Sequence, residues 1–397
     1  MTSTETPSRY RFLIEALLFL TYAAFGLSWI GITPLLGEVQ AAFGVSRADL
    51  GLMTTVVAIA KVAAPLLTGL LALRIGLKRT ILIGAFCMGV AALVPWAPGF
   101  KLFLAERFLF GIGGAMVVTL MGPMAMGWFP AAELPIVNAL NNVAVNTGIS
   151  ITLFTTVPLA AWLGWRLALC AYGLLSLVLA VVWALFGRDA GATRPQATAA
   201  QADVRYAEVW RLRETWLIAL AFTGPLALYL ALNTWLPHYY VEVYGMDKAT
   251  ASHYTGLFNL IGIPTAIAAG FLTKQLGRRR PFIIGAGLLL GVAAAGMFLV
   301  NRPAVIMVSA VLLGVCLFTY VAPLFTIPME LPGLTPRHVS LPMATVFSCA
   351  YAVSALSPIL VGYLRDATGS YLPGLLVWSA FSWVLAIAGA LLPETGP

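Results

Sequence analysis

Charge is scarce in this 397-residue chain. Asp, Glu, Lys and Arg together make up 10% of it, less than half of the roughly 25% found in soluble domains. Histidine is scarcer still: there are three, and none is spaced with Asp or Glu as a nucleophile–base pair or metal cluster requires, so the chain is not read as an enzyme. The four cysteines, Cys87, Cys170, Cys316 and Cys349, lie far apart inside apolar runs with no C-x-x-C. That spacing excludes a disulfide scaffold and a zinc site, and leaves them as small apolar core residues. No G-x-x-x-x-G-K-[ST] loop occurs, which disfavours ATP as a driving force. No cofactor is expected. The net charge of +8 does not point to nucleic acid, because the basic residues punctuate apolar runs instead of forming a patch.

What fills the chain is apolar: 60% of residues are hydrophobic, with 37 Gly and 24 Pro, both more frequent in transmembrane than in soluble helices. A helix crosses a bilayer with about 20 apolar residues. Runs of that kind fall near 12–36, 49–73, 79–97, 102–128, 134–160, 166–187, 215–241, 250–273, 281–300, 304–328, 339–364 and 372–392, here numbered spans 1 to 12. The polar N-terminal stretch leads into a run too long for a signal-peptide core and is read as preceding an uncleaved first span. One long polar stretch, 188–214, separates two nearly equal pieces. The expected organisation is therefore an N-terminal six-helix bundle (1–187), a central cytoplasmic linker (188–214) and a C-terminal six-helix bundle (215–397). With the N-terminus inside, fifteen Lys and Arg fall in inner segments and six in outer loops. That bias sets both termini in the cytoplasm.

The two pieces echo one another. After span 2 the chain runs from Gly69 through Arg74 to Gly76, Lys78 and Arg79; after span 8 it runs from Gly270 to Gly277, Arg278, Arg279 and Arg280. Duplicated six-helix units are what alternating-access carriers are built from. Between residues 81–97, 167–187, 281–300 and 372–392, spans 3, 6, 9 and 12 hold no amide, His or charged residue, whereas spans 2, 4, 5, 7 and 8 carry such residues in their interiors. Lipid-facing helices have no use for such groups.

Lys61 is the most informative residue. It falls at the middle of span 2, where an ammonium costs about 2.5–3.5 kcal/mol on insertion scales. It is read as a substrate-binding cation facing a wet cavity; a lysine paired with a carbonyl or kept neutral by desolvation is the alternative. Glu106 and Arg107 are neighbours in span 4 and point about 100° apart, so Arg107 needs a partner on another helix. Asn138, Asn142, Asn146 and Ser150 form a stripe at four-residue spacing on span 5, with Asn141 beside it. Asn142 and Asn146 are assigned to the cavity, Asn138 and Asn141 to helix–helix glue. Span 7 offers Asn233 and His238, span 8 His253 and Asn259, and Gly224-Pro225 and Pro237 are expected to break span 7. His238 is placed at the outer interface as a solvated side chain. Tyr22 and Trp29 share a face of span 1 and either stack on a substrate, make a cation–π contact or simply pack.

The glycine-and-basic turns resemble the loop signature of the major facilitator superfamily. Arg107 with Gly111, Gly113 and Gly114 is similar to that family's span-4 motif, and Trp165-Arg166 and Arg365-Asp366 to its outer-loop signatures. The resemblance implies an all-α membrane fold of twelve helices in two pseudo-symmetric six-helix bundles. It also implies gating roles for the two turns, and a role for Arg107 in coupling to conformation or protons. One departure matters: the acid that the family carries in the loop motif, where it helps latch the halves, is Leu73 in one turn and Lys274 in the other. Trp128-Phe-Pro, the amide-bearing span 5 and Gly164-Trp-Arg are similar to cyanate- and nitrate-type small-anion carriers. Trp29, the Gly76 turn and the stretch from Trp128 to Glu133 are similar to heme/choline-type carriers, so the branch stays open.

The expectation is a secondary active transporter for a small organic or inorganic anion, working by alternating access in the bacterial inner membrane, with import favoured. Its partners would be the small-molecule substrate, the lipid bilayer and protons as candidate coupling ion; a monomer is expected. An efflux carrier, a carrier of amphipathic aromatics bound by Tyr22, Trp29 and the amides, and a channel or non-transporting receptor are the alternatives.

Overall fold

A backbone in hydrocarbon must satisfy its own hydrogen bonds, and a helix does so within one segment. The apolar runs accordingly become helices. The computed structural model describes residues 9–130, 133–190, 212–330 and 336–395, so residues 191–211 of the expected linker and residues 131 and 132 of the Trp128–Glu133 stretch lie outside the described residues. Twelve helices are long and apolar enough to cross a membrane, and no strand occurs among the described residues.

Span 1 is Tyr10–Ile30, continued through the short 3-10 turn Thr33–Leu35 into Leu36–Phe43. Span 2 is Arg47–Ile75, span 3 is Leu77–Gly89 with a 3-10 end Val90–Trp96, and span 4 is Phe100–Trp128. Span 5 is Leu134–Leu163 and span 6 Trp165–Phe186. The second bundle has span 7, Arg213–Tyr244, span 8, Lys248–Leu276, and span 9, Arg280–Leu299. Span 10 comprises Pro303–Thr319 and Val321–Glu330, span 11 Pro336–Ser354 and Leu356–Thr368, and span 12 Leu372–Phe381 and Val384–Leu391. An even number of crossings returns the chain end to the face where span 1 began, here the terminal face.

Local chemistry sets the ends. Ser46 accepts from the Asp49 N–H while the Asp49 carboxylate accepts from the Ser46 N–H, a capping box that starts span 2. Asp247 accepts from the Thr250 N–H at 3.0 Å and starts span 8. Gly76 ends span 2 with a φ of +87°, a conformation that a Cβ disfavours.

Span 7 differs from its expected form. It is one unbroken helix of 32 residues with Pro225 and Pro237 inside it. Gly224 there is a contact point, since a Cβ on it would stand 2.7 Å from the Phe381 carbonyl oxygen of span 12. Packing on both sides keeps the proline-bearing helix continuous, as membrane helices allow. The interruptions fall instead in spans 1, 3, 10, 11 and 12.

Candidate functional site

The bundles meet along a seam that is closed at the face opposite the chain ends. There Glu242 of span 7 accepts from Arg47 Nη2 of span 2 at 3.0 Å, from Tyr371 Oη at 2.7 Å and from Arg365. His238 Nε2 lies 3.2 Å from the same carboxylate, so this histidine has a partner and is mostly buried, unlike the solvated side chain expected. A helical turn separates the two residues, which put imidazole and carboxylate on one face. The Ala48 N–H donates to Asp366 at 3.0 Å, and Lys248 pairs with Glu38. Beneath these charges spans 2 and 11 touch backbone to backbone. A Cβ on Gly51 would meet the Pro358 carbonyl oxygen at 2.5 Å, and one on Gly362 the Arg47 carbonyl oxygen at 2.3 Å.

Halfway down the seam sits Lys61, the middle residue of span 2. It is 5% exposed, drier than the open cavity expected from the sequence. Its ammonium lies 4.1 Å from the ring centre of Trp29, 4.7 Å from Phe25, 5.1 Å from Tyr351 and 5.9 Å from Tyr22. Three of these rings come from span 1 at positions 22, 25 and 29, the spacing of one helix face. The fourth comes from span 11 of the other bundle. At about 0.5–1 kcal/mol per ring, the cage returns about 2–4 kcal/mol, enough to offset the cost of an ammonium in mid-membrane. Tyr22 and Trp29 therefore make the cation–π contact, and the cation is the protein's own. Of three N–H donors, the described residues engage one, with Tyr351 Oη at 3.5 Å. No carboxylate forms a salt bridge with Lys61 among the described residues.

Beside the cage an amide–phenol network joins the bundles. Tyr229 Oη of span 7 lies 2.9 Å from Asn146 Oδ1 of span 5 and 2.9 Å from Asn259 Oδ1 of span 8. A phenol has one hydrogen, so one of the two amides must present its NH2 instead. Asn259 Nδ2 already donates to Asn233 Oδ1 at 2.8 Å, which leaves Asn146 as the donor to Tyr229. Asn142 and Asn138, one and two turns closer to the terminal face on the same side of span 5, are exposed, whereas Asn141 is buried. Asn142, expected in the cavity, and Asn138, expected as glue, thus both have exposed side chains. Toward the terminal face the Ser348 Oγ of span 11 donates to the Val62 carbonyl of span 2 at 3.3 Å.

Arg107 finds its partners on the broken end of span 1. It donates to the carbonyls of Ser28 at 2.7 Å and Trp29 at 2.6 Å, and to Met53 of span 2 at 3.2 Å. Helix-end carbonyls need donors, and Arg107 supplies them where span 1 ends at Ile30 and the chain turns into the 3-10 segment. It thereby fixes the backbone of the residue whose ring covers Lys61. Glu106 lines a void of about 10 Å³ together with Ser28 and Arg107, room for about one water. Its Oε1 and the Ser28 hydroxyl meet no protein partner.

The two turns lie at the terminal face. Arg74, Arg79 and Arg278 are exposed, Gly69 has open space around it, and Gly277 ends span 8 with a φ of +63°. Asp189, after span 6, accepts from the Lys78 N–H at 2.8 Å and would lie 3.1 Å from a Cβ on Gly76. An acid absent at Leu73 is thus present at the same turn from another span. The Lys274 side chain lies outside the described residues.

The sequence reading missed Phe25, Tyr229 and Tyr351, because an aromatic residue in an apolar run carries no signal of its own. It also missed Glu15, a buried acid in span 1 next to Asn141; a lone carboxylate in an apolar run was the available signal.

Twelve membrane-crossing helices in two bundles that close on one another at one face define a polytopic membrane carrier. The chain belongs to the major facilitator superfamily, whose model matches residues 18–358, and it is a secondary transporter. It is 25% identical to the probable sulfoacetate transporter SauU of Cupriavidus necator, over 96% of this chain and 94% of that one. It is 27% identical to the probable nitrate/nitrite antiporter NarK1 of Thermus thermophilus, over 94% and 86%. The fold is shared with a solved bacterial homologue of the human lysosomal transporter Spinster, in an inward-facing and unoccupied conformation, at a TM-score of 0.78 and 16% identity, covering 97% and 96% of the two chains.

Proposed function

We propose that this transporter carries a small organic or inorganic anion by alternating access, with Lys61 as the group that recognises the negative charge. The observation that carries the reading is the placement of that ammonium. It is the cation at the middle of the seam, it touches both bundles, and two of its three donors have no partner among the described residues. An oxyanion entering from the terminal face takes those donors. Asn146, Tyr229 and Asn259 then offer neutral hydrogen bonds that orient it without a second charge. The small-anion names of SauU and NarK1 are in keeping with this choice. A cargo of amphipathic aromatics is less well served, since the faces of Tyr22 and Trp29 are taken by Lys61.

Rocking of the bundles opens one face as the other closes. The positive-inside bias makes the terminal face the cytoplasmic one, so the closed face is the outer one in a bacterial inner membrane. Import by a monomer, with protons as coupling ion, is the working direction.

The test is uptake by proteoliposomes of nitrate, sulfoacetate, short carboxylates and organic cations. Wild type accumulates at least one anion. Lys61→Met abolishes that uptake and Lys61→Arg retains part of it. An exclusively cationic profile, or unchanged anion uptake in Lys61→Met, overturns the reading.

A further inference from the structure

A groove of about 610 Å³ opens at the terminal-face ends of spans 9 and 12, far from the seam, lined by Arg278, Arg280, Pro281, Ile284, Gly285 and Glu394. Its charges are unequally engaged. The Glu394 carboxylate accepts from the N–H groups of Arg279 at 2.6 Å and Arg280 at 3.2 Å, so it serves as the cap of span 9. Arg280 turns Nε toward the Gly389 carbonyl at 3.4 Å and Nη2 to that of Ala390, which leaves Nη1 free. Arg278 is exposed and has no hydrogen bond or ion pair among the described residues. The mouth of the groove is therefore positive, with one whole guanidinium and part of another available.

Below the mouth the lining turns apolar. Nothing lies within 4 Å of the place a Cβ would occupy on Gly285, so the helix surface has a notch there. From Ile284 the exposed residues Leu288, at 57%, and Val292, at 58%, follow at four-residue steps down one face of span 9. Eight residues of helix make a strip about 12 Å long. Span 9 has no amide, His or charged residue between 281 and 300, as befits a helix against lipid. A guanidinium pair at the interface, continued by a notch and an apolar strip toward the membrane centre, matches a molecule with a phosphate at one end and hydrocarbon at the other.

We propose that this groove holds one anionic phospholipid. The phosphate rests on Arg278 and on Arg280 Nη1, and one acyl chain lies in the Gly285 notch and along Ile284, Leu288 and Val292. Free phosphate uses the mouth alone and gains nothing from the strip, so the two sources separate by experiment. The site is independent of the transported solute.

The full-length protein, purified in a non-ionic detergent, is titrated with phosphatidylglycerol, with phosphatidylcholine and with inorganic phosphate, and bound lipid is counted by native mass spectrometry. Wild type keeps one phosphatidylglycerol more tightly than phosphatidylcholine, and excess inorganic phosphate does not displace it. Arg278→Ala weakens that binding about fivefold, the worth of one basic residue at a membrane surface, and Arg278→Lys largely retains it. Gly285→Phe fills the notch, leaves every charge in place and weakens binding as well. Both positions are at the lipid-facing surface, so the variants report binding and not folding. Equal retention of the two lipids, displacement by inorganic phosphate, or wild-type binding in either Arg278→Ala or Gly285→Phe overturns the proposal.

Discussion

The contact that closes the face opposite the chain ends is the place to perturb this transporter. Spans 2 and 11 approach there because position 51 and position 362 lack a side chain. A Cβ on Gly51 would stand 2.5 Å from the Pro358 carbonyl oxygen and 2.8 Å from Ile359 Cα, whereas comfortable carbon contacts lie at about 3.5–4 Å. Gly51→Val therefore has to part the helices by about 1 Å. Overpacking of that kind costs about 1–3 kcal/mol, and the cost falls on the conformation in which this face is shut. The ratio of open to shut molecules rises about 5- to 150-fold, since about 1.4 kcal/mol is a factor of ten. Thr55 reports the change: it is fully buried, and its hydroxyl donates to the Ala355 carbonyl at 2.6 Å across the same seam. In a protein whose four native cysteines are replaced by serine, Thr55→Cys reacts slowly with a maleimide, and adding Gly51→Val accelerates that reaction by a comparable factor. Gly122→Val is the control, because nothing stands within 4 Å of its Cβ position. If the wedge leaves the labelling rate where the control does, this contact does not hold the face closed.

Three further outcomes follow from the same geometry. Arg107→Ala strands the carbonyls of Ser28 and Trp29 without their donor and removes a second bond to that of Met53; the loss is about 2–5 kcal/mol, read as a lower midpoint in thermal unfolding, and Arg107→Lys recovers only part of it. Lys61→Met gives up ring contacts and a buried charge of nearly equal and opposite worth, so thermal stability stays within about 1 kcal/mol of wild type even as uptake disappears. Asp247→Ala removes the cap of span 8 and costs about 1 kcal/mol at neutral pH. Hydrogen bonds from Thr250, side chain first and then backbone, hold the Asp247 carboxyl below its ordinary value. A depressed carboxyl stabilises the fold above its unfolded value and stops doing so as pH falls through its folded one. The gap between wild type and Asp247→Ala thus narrows below about pH 4, in a series of melts from pH 7 to 3.

Composition and apolar run length were enough to number the spans, because the bilayer is a solvent that leaves the backbone one economical choice and sets its length. The silence of spans 3, 6, 9 and 12 and the burial of Lys61 belong to the same logic: each follows from what one residue costs in hydrocarbon, a property it has alone. Chain breaks were less legible. Pro225 and Pro237 read as interruptions yet sit in a continuous helix, whereas the end of span 1 that Arg107 holds gave little warning beyond Pro34.

The environment of each costly residue was decided by packing. The ring of Tyr351 reaches Lys61 across 290 positions of chain, Tyr229 joins Asn146 to Asn259, and Asp189 appears at a turn whose own acid is missing. Partners so distant leave no period or spacing in the sequence. A single residue's price in the membrane is written in its side chain; who meets it there is settled by how twelve helices pack.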